Sequence, residues 1–249
     1  MTTGIGIVRP LPVAAIIVSN GTGAANLLTS STREVWRAAA VGASFIDLDF
    51  GAVVSLDTIF LGFTNATESA TLSVSIGGSW SGMTTIAPTR AFRVPHTIGA
   101  RHHGYVRLGQ PVSTRYLRIT VNQVGGAEPM QIGIALAGLM IERPYEYRAG
   151  RVAIDLSKKT ELSDGGYGIN PAAIVASYRF TLSGLTDEQV EELWSIVMTL
   201  GESAPLLIVE GHDTLRFSHL HYGLFQRLEP YERDEPEDSR WGLSIRDWG

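Results

Sequence analysis

Six histidines are the side chains in this 249-residue chain best suited to metal or proton chemistry. His219 and His221 stand two apart, so on a β-strand both imidazoles would leave one face, with His212 or Asp213 within reach across a turn. A zinc site wants at least three placed ligands, and this spacing guarantees two. The plain expectation is a pair of imidazoles on an exposed strand face and no metal. A second stretch, Arg101-His102-His103-Gly104-Tyr105, offers different chemistry, together with Trp80 from another turn-like segment. An aromatic face covers the apolar side of a pyranose while Arg and His bond its hydroxyls. Trp80, Arg101, His102, His103 and Tyr105 are therefore the candidate saccharide-binding set, with ordinary loop residues carrying part-buried rings as the alternative.

Catalytic and cofactor motifs do not form. Gly78-Ser79-Trp80-Ser81-Gly82 places Trp where a nucleophile elbow needs Ser. Gly4-Ile5-Gly6 lacks the third glycine and the preceding strand of a dinucleotide loop. Asp47 and Asp49 share a strand and a face, so they do not flank a glycosidic bond as an acid/base pair. Absence of cysteine removes thiol nucleophiles, thiolate zinc sites and iron–sulfur clusters. We expect no enzyme and no cofactor. With 20 Lys and Arg against 25 Asp and Glu, the net charge of -5 leaves no footprint for nucleic acid. The apolar run Val13 to Val18 is too short to span a bilayer, and no signal peptide is read.

The elements that must position these residues are mostly strands. Hydrophobic residues make up 44% and charged residues 18%, which excludes a disordered chain, and 27 glycines punctuate short apolar runs. Alternation predicts strands at Phe45 to Phe50, Thr58 to Phe63, Ala70 to Ile76, Gly104 to Leu108, Arg115 to Val121 and Gln131 to Ile141. Thr32 to Ala38 has room for a short helical turn. Residues 1–18 read either as a strand exchanged with a neighbour or as the first strand of the sandwich. The apolar runs stop at Arg143-Pro144-Tyr145-Glu146-Tyr147-Arg148-Ala149-Gly150, which places a boundary between domains 1–145 and 146–249.

The second domain opens with a strand at Arg151 to Leu156, a polar turn region at Lys158 to Gly168 and a strand at Ile174 to Leu182. Thr186 and Gln189 form a capping box, Leu185 and Val190 a hydrophobic staple, and Gly201 a stop, so a helix is predicted over 186–200. Val190, Leu193, Trp194, Val197 and Leu200 form its apolar face. Strands follow at Pro205 to Val209, Leu215 to Leu228 and Trp241 to Ile245. The charged run Glu232 to Arg240 is expected to be a solvated hairpin loop.

Four stretches together resemble a known family. They are Glu34-Val35-Trp36-Arg37, Phe45-Ile46-Asp47-Leu48-Asp49-Phe50-Gly51, Val54 to Gly62, and Thr114-Arg115-Tyr116-Leu117-Arg118-Ile119-Thr120. This pattern resembles the discoidin, or coagulation factor 5/8 C-type, domain over residues 20–142. The resemblance implies a mainly β chain with an N-terminal galactose-binding-like jelly-roll β-sandwich, whose apical loops often bind glycans or lipid head groups. A smaller β-rich module with one amphipathic helix follows. The cysteines of many extracellular members are absent.

A broader likeness runs through Ala24-Ala25-Asn26-Leu27-Leu28-Thr29, Arg33 to Arg37, Gly184-Leu185-Thr186, Leu200-Gly201, Tyr222-Gly223 and residues 241–248. It is similar to structural proteins of tailed bacteriophages near the tail tip. That likeness implies a virion component made in the bacterial host cytoplasm. It would assemble with other tail proteins as a homo-oligomeric ring or trimer and contact host-surface glycans. A stand-alone lectin-like carbohydrate-binding protein is the alternative reading.

Overall fold

The structure is a computed structural model that describes residues 4–96, 101–146, 149–211, 215–235 and 238–248. Strands β1 (Gly4–Val8) and β2 (Ala15–Val18) precede a 3-10 turn at Ala24–Leu28 and the short β3 (Trp36–Arg37). Next come β4 (Ala43–Thr64), β5 (Thr71–Gly77), β6 (Thr84–Ala91), β7 (His102–Asn122), β8 (Gln131–Ile132), β9 (Ile134–Gly138) and β10 (Met140–Pro144). Then follow β11 (Gly150–Asp155), β12 (Lys158–Glu161), β13 (Tyr167–Asn170), β14 (Ile174–Leu185) and helix α1 (Asp187–Leu200). The chain closes with β15 (Leu206–Glu210), a 3-10 turn at Phe217–His219, β16 (Leu220–Leu228), β17 (Glu232–Glu235) and β18 (Asp238–Asp247). Contacts divide the described residues into two compact units: 7–141 with 215–220, and 4–6 with 142–211 and 221–248.

The first unit is a jelly-roll β-sandwich built around two long strands that serve both layers. The first part of β4 runs between β2 and the end of β7, which β5 and β6 extend. Past ladder breaks at Asp49/Val54 and Leu56/Thr58, the rest of β4 runs between the start of β7 and β9. Such breaks let one strand turn from one layer to the next. Gly51 takes φ +77 at the first break, a left-handed conformation that favours glycine. Ile46, Leu48 and Phe50 of β4 fill the core with Leu117, Ile119 and Val121 of β7, as their alternation predicts. Trp36 is fully buried, and its indole Nε1 donates to the Asn20 carbonyl at 3.1 Å.

Local readings change where backbone pairing overrides pattern. Thr32 to Ala38 is no helical turn: Trp36 pairs with Ile132, Arg37 with Gln131, and Thr22 bridges Arg37. The 3-10 turn lies earlier, at Ala24–Leu28. The single run Gln131 to Ile141 divides into β8, β9 and the first part of β10. Strand β6 is too polar on both faces to show alternation, and it forms by pairing with β5.

The smaller unit is a β-rich module with one amphipathic helix. Its sheet runs β10-β1-β15-β16-β18-β14-β11, with β17 on β18. The N-terminal segment is therefore divided: β2 is the first strand of the sandwich, one of the two places expected, whereas β1 lies inside this sheet with Ile5 and Ile7 buried. Helix α1 carries the expected capping box, with the Gln189 amide N–H donating to Thr186 Oγ1 at 3.4 Å and the Thr186 N–H donating to Gln189 Oε1 at 3.2 Å. Its buried stripe is Val190, Leu193, Ile196, Val197 and Leu200. Trp194 is 42% exposed, a correction to its expected place on that face. It lies one step round from Leu193, at the edge of the stripe, beside the Trp241 ring at 6.0 Å.

Two stretches read as loops are strands. Lys158 to Gly168 contributes to the β12–β13 hairpin, held by pairs from Lys158 with Asn170 to Glu161 with Tyr167. The charged run from Glu232 is the β17–β18 hairpin, in which Arg233 pairs with Asp187, and Arg240 makes a bidentate pair with Glu146 at 2.7 and 2.8 Å. Charge did not prevent strand formation, because Arg233 and Arg240 reach ionic partners while the backbone pairs. Residues 147–148 of the connector, 212–214 and 236–237 lie outside the described residues.

Candidate functional site

The candidate set Trp80, Arg101, His102, His103 and Tyr105 is divided between the two ends of β7. His102 pairs with Thr64 and Tyr105 with Phe60, so residues 102–105 belong to a strand and not to a loop. Trp80 lies in the β5–β6 turn, beyond Gly77, which pairs with Tyr116 toward the far end of β7.

His103 is 4% exposed and built into the sandwich. Its Nδ1 accepts the Phe63 amide N–H at 3.2 Å, and its ring lies between Phe60 and Phe63, each 5.0 Å away. Burial pushes its pKa down to about 3, so the imidazole is neutral. Arg101 Nη1 donates to the Phe63 carbonyl at 3.3 Å. Both backbone polar groups of Phe63 are thus held, and Phe63 has φ 58, a costly conformation for an aromatic residue. Two members of the candidate set therefore maintain a strained turn of β4. Burial also lowers the pKa of His102, as does the Arg93 charge.

At the Trp80 end, different residues come together. The Trp80 ring is tilted over Tyr116 with centroids 4.4 Å apart, and the Arg115 guanidinium lies 4.9 Å from the Tyr116 centroid. Arg115 makes a bidentate pair with Asp49, Nε to Oδ1 at 2.9 Å and Nη2 to Oδ2 at 3.1 Å. That pair, with the Gly51 amide on the same carboxylate, holds the Asp49 pKa below its usual value. Trp80, Tyr116, Arg115 and Asp49 are all partly exposed. The guanidinium keeps donors beyond the two it spends on Asp49. This is a wet aromatic surface flanked by hydrogen-bonding charges. Sequence reading missed Tyr116, Arg115 and Asp49 as site residues. Their signal was the register that sets Asp49 opposite Tyr116.

A parallel pair lies one step along the same ladder. Asp47 is opposite Arg118, and the two make bidentate hydrogen bonds of 2.6 Å, with Arg118 over the Phe45 ring at 4.2 Å. Asp47 is 3% exposed, so this pair is structural and not open to a ligand.

His219 and His221 do not present one strand face. His219 ends the 3-10 turn, and its Nδ1 accepts the Arg216 amide N–H at 3.2 Å. His221 enters β16, with its ring directed at Glu210 and Asp247. Among the described residues no group of three or more His, Asp or Glu is placed to hold a metal ion. The module also has a polar cleft of about 150 Å³ lined by Arg179, Thr181, Glu229 and Arg240. Arg179 faces Glu229 at 3.9 Å and Arg240 pairs with Glu146, while the exposed Glu232 also lines the cleft. Among the described residues no helix is long and apolar enough to cross a membrane.

No protein-family model matches the sequence, and no curated protein is similar to it at a significant level. Solved structures are similar over about half the chain. One is chitosan-binding module 1 from a chitosanase/glucanase of Paenibacillus sp. IK-5, at 16% identity and TM-score 0.42, covering 52% of this chain and 98% of that one. Another is CpGH89CBM32-6 produced by Clostridium perfringens, at 15% identity and TM-score 0.39, covering 49% and 90%. A structure of reduced XRCC1 bound to the DNA pol beta catalytic domain is similar at 17% identity and TM-score 0.42, covering 53% and 98%.

Proposed function

We propose that the sandwich is a carbohydrate-binding module whose saccharide surface is Trp80 and Tyr116, with Arg115 and Asp49 bonding hydroxyls at its edge. The observation that carries this reading is the tilted Trp80–Tyr116 pair beside the Arg115–Asp49 pair, all partly exposed. Rings of this kind pack on the apolar face of a sugar, and a few placed polar groups fix its orientation. Glycan-array binding followed by calorimetric titration of the full chain tests it. Trp80→Ala is expected to weaken saccharide binding about tenfold, the equivalent of a lost aromatic stack. Undiminished binding by Trp80→Ala, or no saccharide bound by the wild-type chain, overturns the reading.

A second reading is assembly of copies of this chain with one another, and a separate observation favours it. Strand β11 is an edge of the module's sheet, and the hairpin β12–β13 beside it is a two-stranded sheet of its own. Val152, Tyr167, Ile169 and Ile174 are each more than half exposed in this region. Two-stranded ribbons are marginal alone in water, and an open edge templates further strand pairing. The occupant that fits is a second copy of this chain, because a two-fold axis presents the same edge to itself. Light scattering from dilute to concentrated protein tests this: a rising mass supports assembly, and a strict monomer removes it.

A further inference from the structure

His221 is 1% exposed, and both of its ring nitrogens end on carboxylates. Nε2 lies 2.8 Å from Oε1 of Glu210 on β15, and Nδ1 lies 3.1 and 3.3 Å from the two carboxylate oxygens of Asp247 on β18. A neutral imidazole has one N–H and one bare lone pair. In either tautomer the bare nitrogen would face a carboxylate oxygen at hydrogen-bond distance, lone pair against lone pair, in a site where water does not screen the repulsion. An imidazolium donates at both ends and removes the conflict.

The surroundings carry the same requirement. Arg151 on β11 donates Nε and Nη2 to the two oxygens of Glu210, each at 2.6 Å, and keeps that carboxylate ionised. Tyr178 on β14 stacks on the imidazole, planes 3° apart and centroids 4.8 Å apart, the placement of a cation over an aromatic face. Burial and the Glu210 charge push the Tyr178 phenol up, with a smaller contribution from Tyr145, so it stays neutral and adds no charge. With His221 protonated, Arg151 and His221 balance Glu210 and Asp247. With His221 neutral, the Asp247 charge is left over beside a buried imidazole, an uncompensated charge on a partly covered face.

We infer that His221 is a stored imidazolium that clasps β15, β16 and β18 of the module together and opens when it loses its proton. This site is distinct from the saccharide surface and does not depend on it. Burial lowers the pKa of His221, but the hydrogen bonds to Asp247 and Glu210 outweigh it and leave the pKa above the usual 6.5. A group whose pKa rises on folding stabilises fully below its unfolded value, about 6.5 for His, and loses that contribution as pH climbs through the folded value. The clasp therefore holds fully below about 6.5 and weakens as pH climbs through the raised folded value.

The test is a long-range proton–nitrogen NMR spectrum of the ¹⁵N-labelled full chain, with His221 assigned by comparison with His221→Gln. At about pH 7.5, where an exposed histidine is about nine-tenths neutral, His221 is expected to show the two-proton pattern on both ring nitrogens. A single-proton tautomer at that pH overturns the inference. Asp247→Asn keeps the size of the side chain and removes one charge, and it should lower the His221 titration midpoint by about one unit or more. An unchanged midpoint in the folded variant also overturns it.

Discussion

The imidazole of His103 lies flat on the ring of Phe217, centroids 4.3 Å apart and planes 11° apart. These residues are far apart in sequence, yet both belong to the sandwich unit, which takes residues 215–220 from the second half of the chain. The Phe217 amide N–H also donates to the Pro95 carbonyl at 2.9 Å. Replacing Phe217 with Ala should therefore destabilise the sandwich by about 1 kcal/mol, the worth of an aromatic pair between a buried ring and a half-buried one. Denaturant unfolding followed by fluorescence of the buried Trp36 measures it.

The same stack makes the sandwich acid-sensitive. His103 has a folded pKa of about 3 against a usual 6.5, so the unfolded chain binds a proton there that the folded one refuses. Its contribution is complete above about 6.5 and is lost as pH falls toward 3, at about 1.4 kcal/mol per unit. His103→Asn preserves an acceptor for the Phe63 amide and cannot titrate. The difference in unfolding free energy between wild type and this variant should change with that slope between pH values of about 6 and 4. A flat difference would show that His103 takes up its proton without unfolding.

Asp47→Ala should cost about 3 kcal/mol, because it leaves the Arg118 guanidinium without its bidentate partner on a largely covered face. Asp49→Ala removes a more exposed partner and should cost less than 1 kcal/mol. Parallel urea titrations of the two variants check the ordering, since the two aspartates share a strand and differ chiefly in burial.

Thr186→Ala deletes the side chain that accepts the Gln189 amide at the start of α1. The expected loss is about 1 kcal/mol of module stability. Hydrogen exchange should show faster opening in the first turn of α1 and unchanged protection in β4 and β7.

Ile169→Asp places a charge on the β12–β13 hairpin at a side chain that is 62% exposed. Unfolding midpoints should stay within about 0.5 kcal/mol of wild type. Self-association measured by light scattering should fall with this substitution. Retained association would place the contact elsewhere on the molecule.

Much of this architecture was legible because it rests on local rules. The two-residue alternation of Ile46, Leu48 and Phe50 gave a core strand. Thr186, Gln189 and Gly201 gave a helix with its ends in the right places. What stayed hidden depends on pairing between distant segments, for which one sequence carries no register. The membership of β1 in the module's sheet is of this kind, and so are the strands formed by Lys158–Glu161 and Glu232–Glu235, whose side chains look like loop.

The candidate site shows the same division. Composition and motif spacing alone put Trp80, Arg101, His102 and His103 forward as polar and aromatic side chains near turns. Whether each faces water or the core depends on strand register, because a shift of one residue reverses the face. Register buried His103 under Phe217 and seated Trp80 over Tyr116. It also enclosed His221 between Glu210 and Asp247, two carboxylates from separate strands. Residue chemistry was present in the chain from the start; the folded packing assigned each group its solvent, its partner and so its charge.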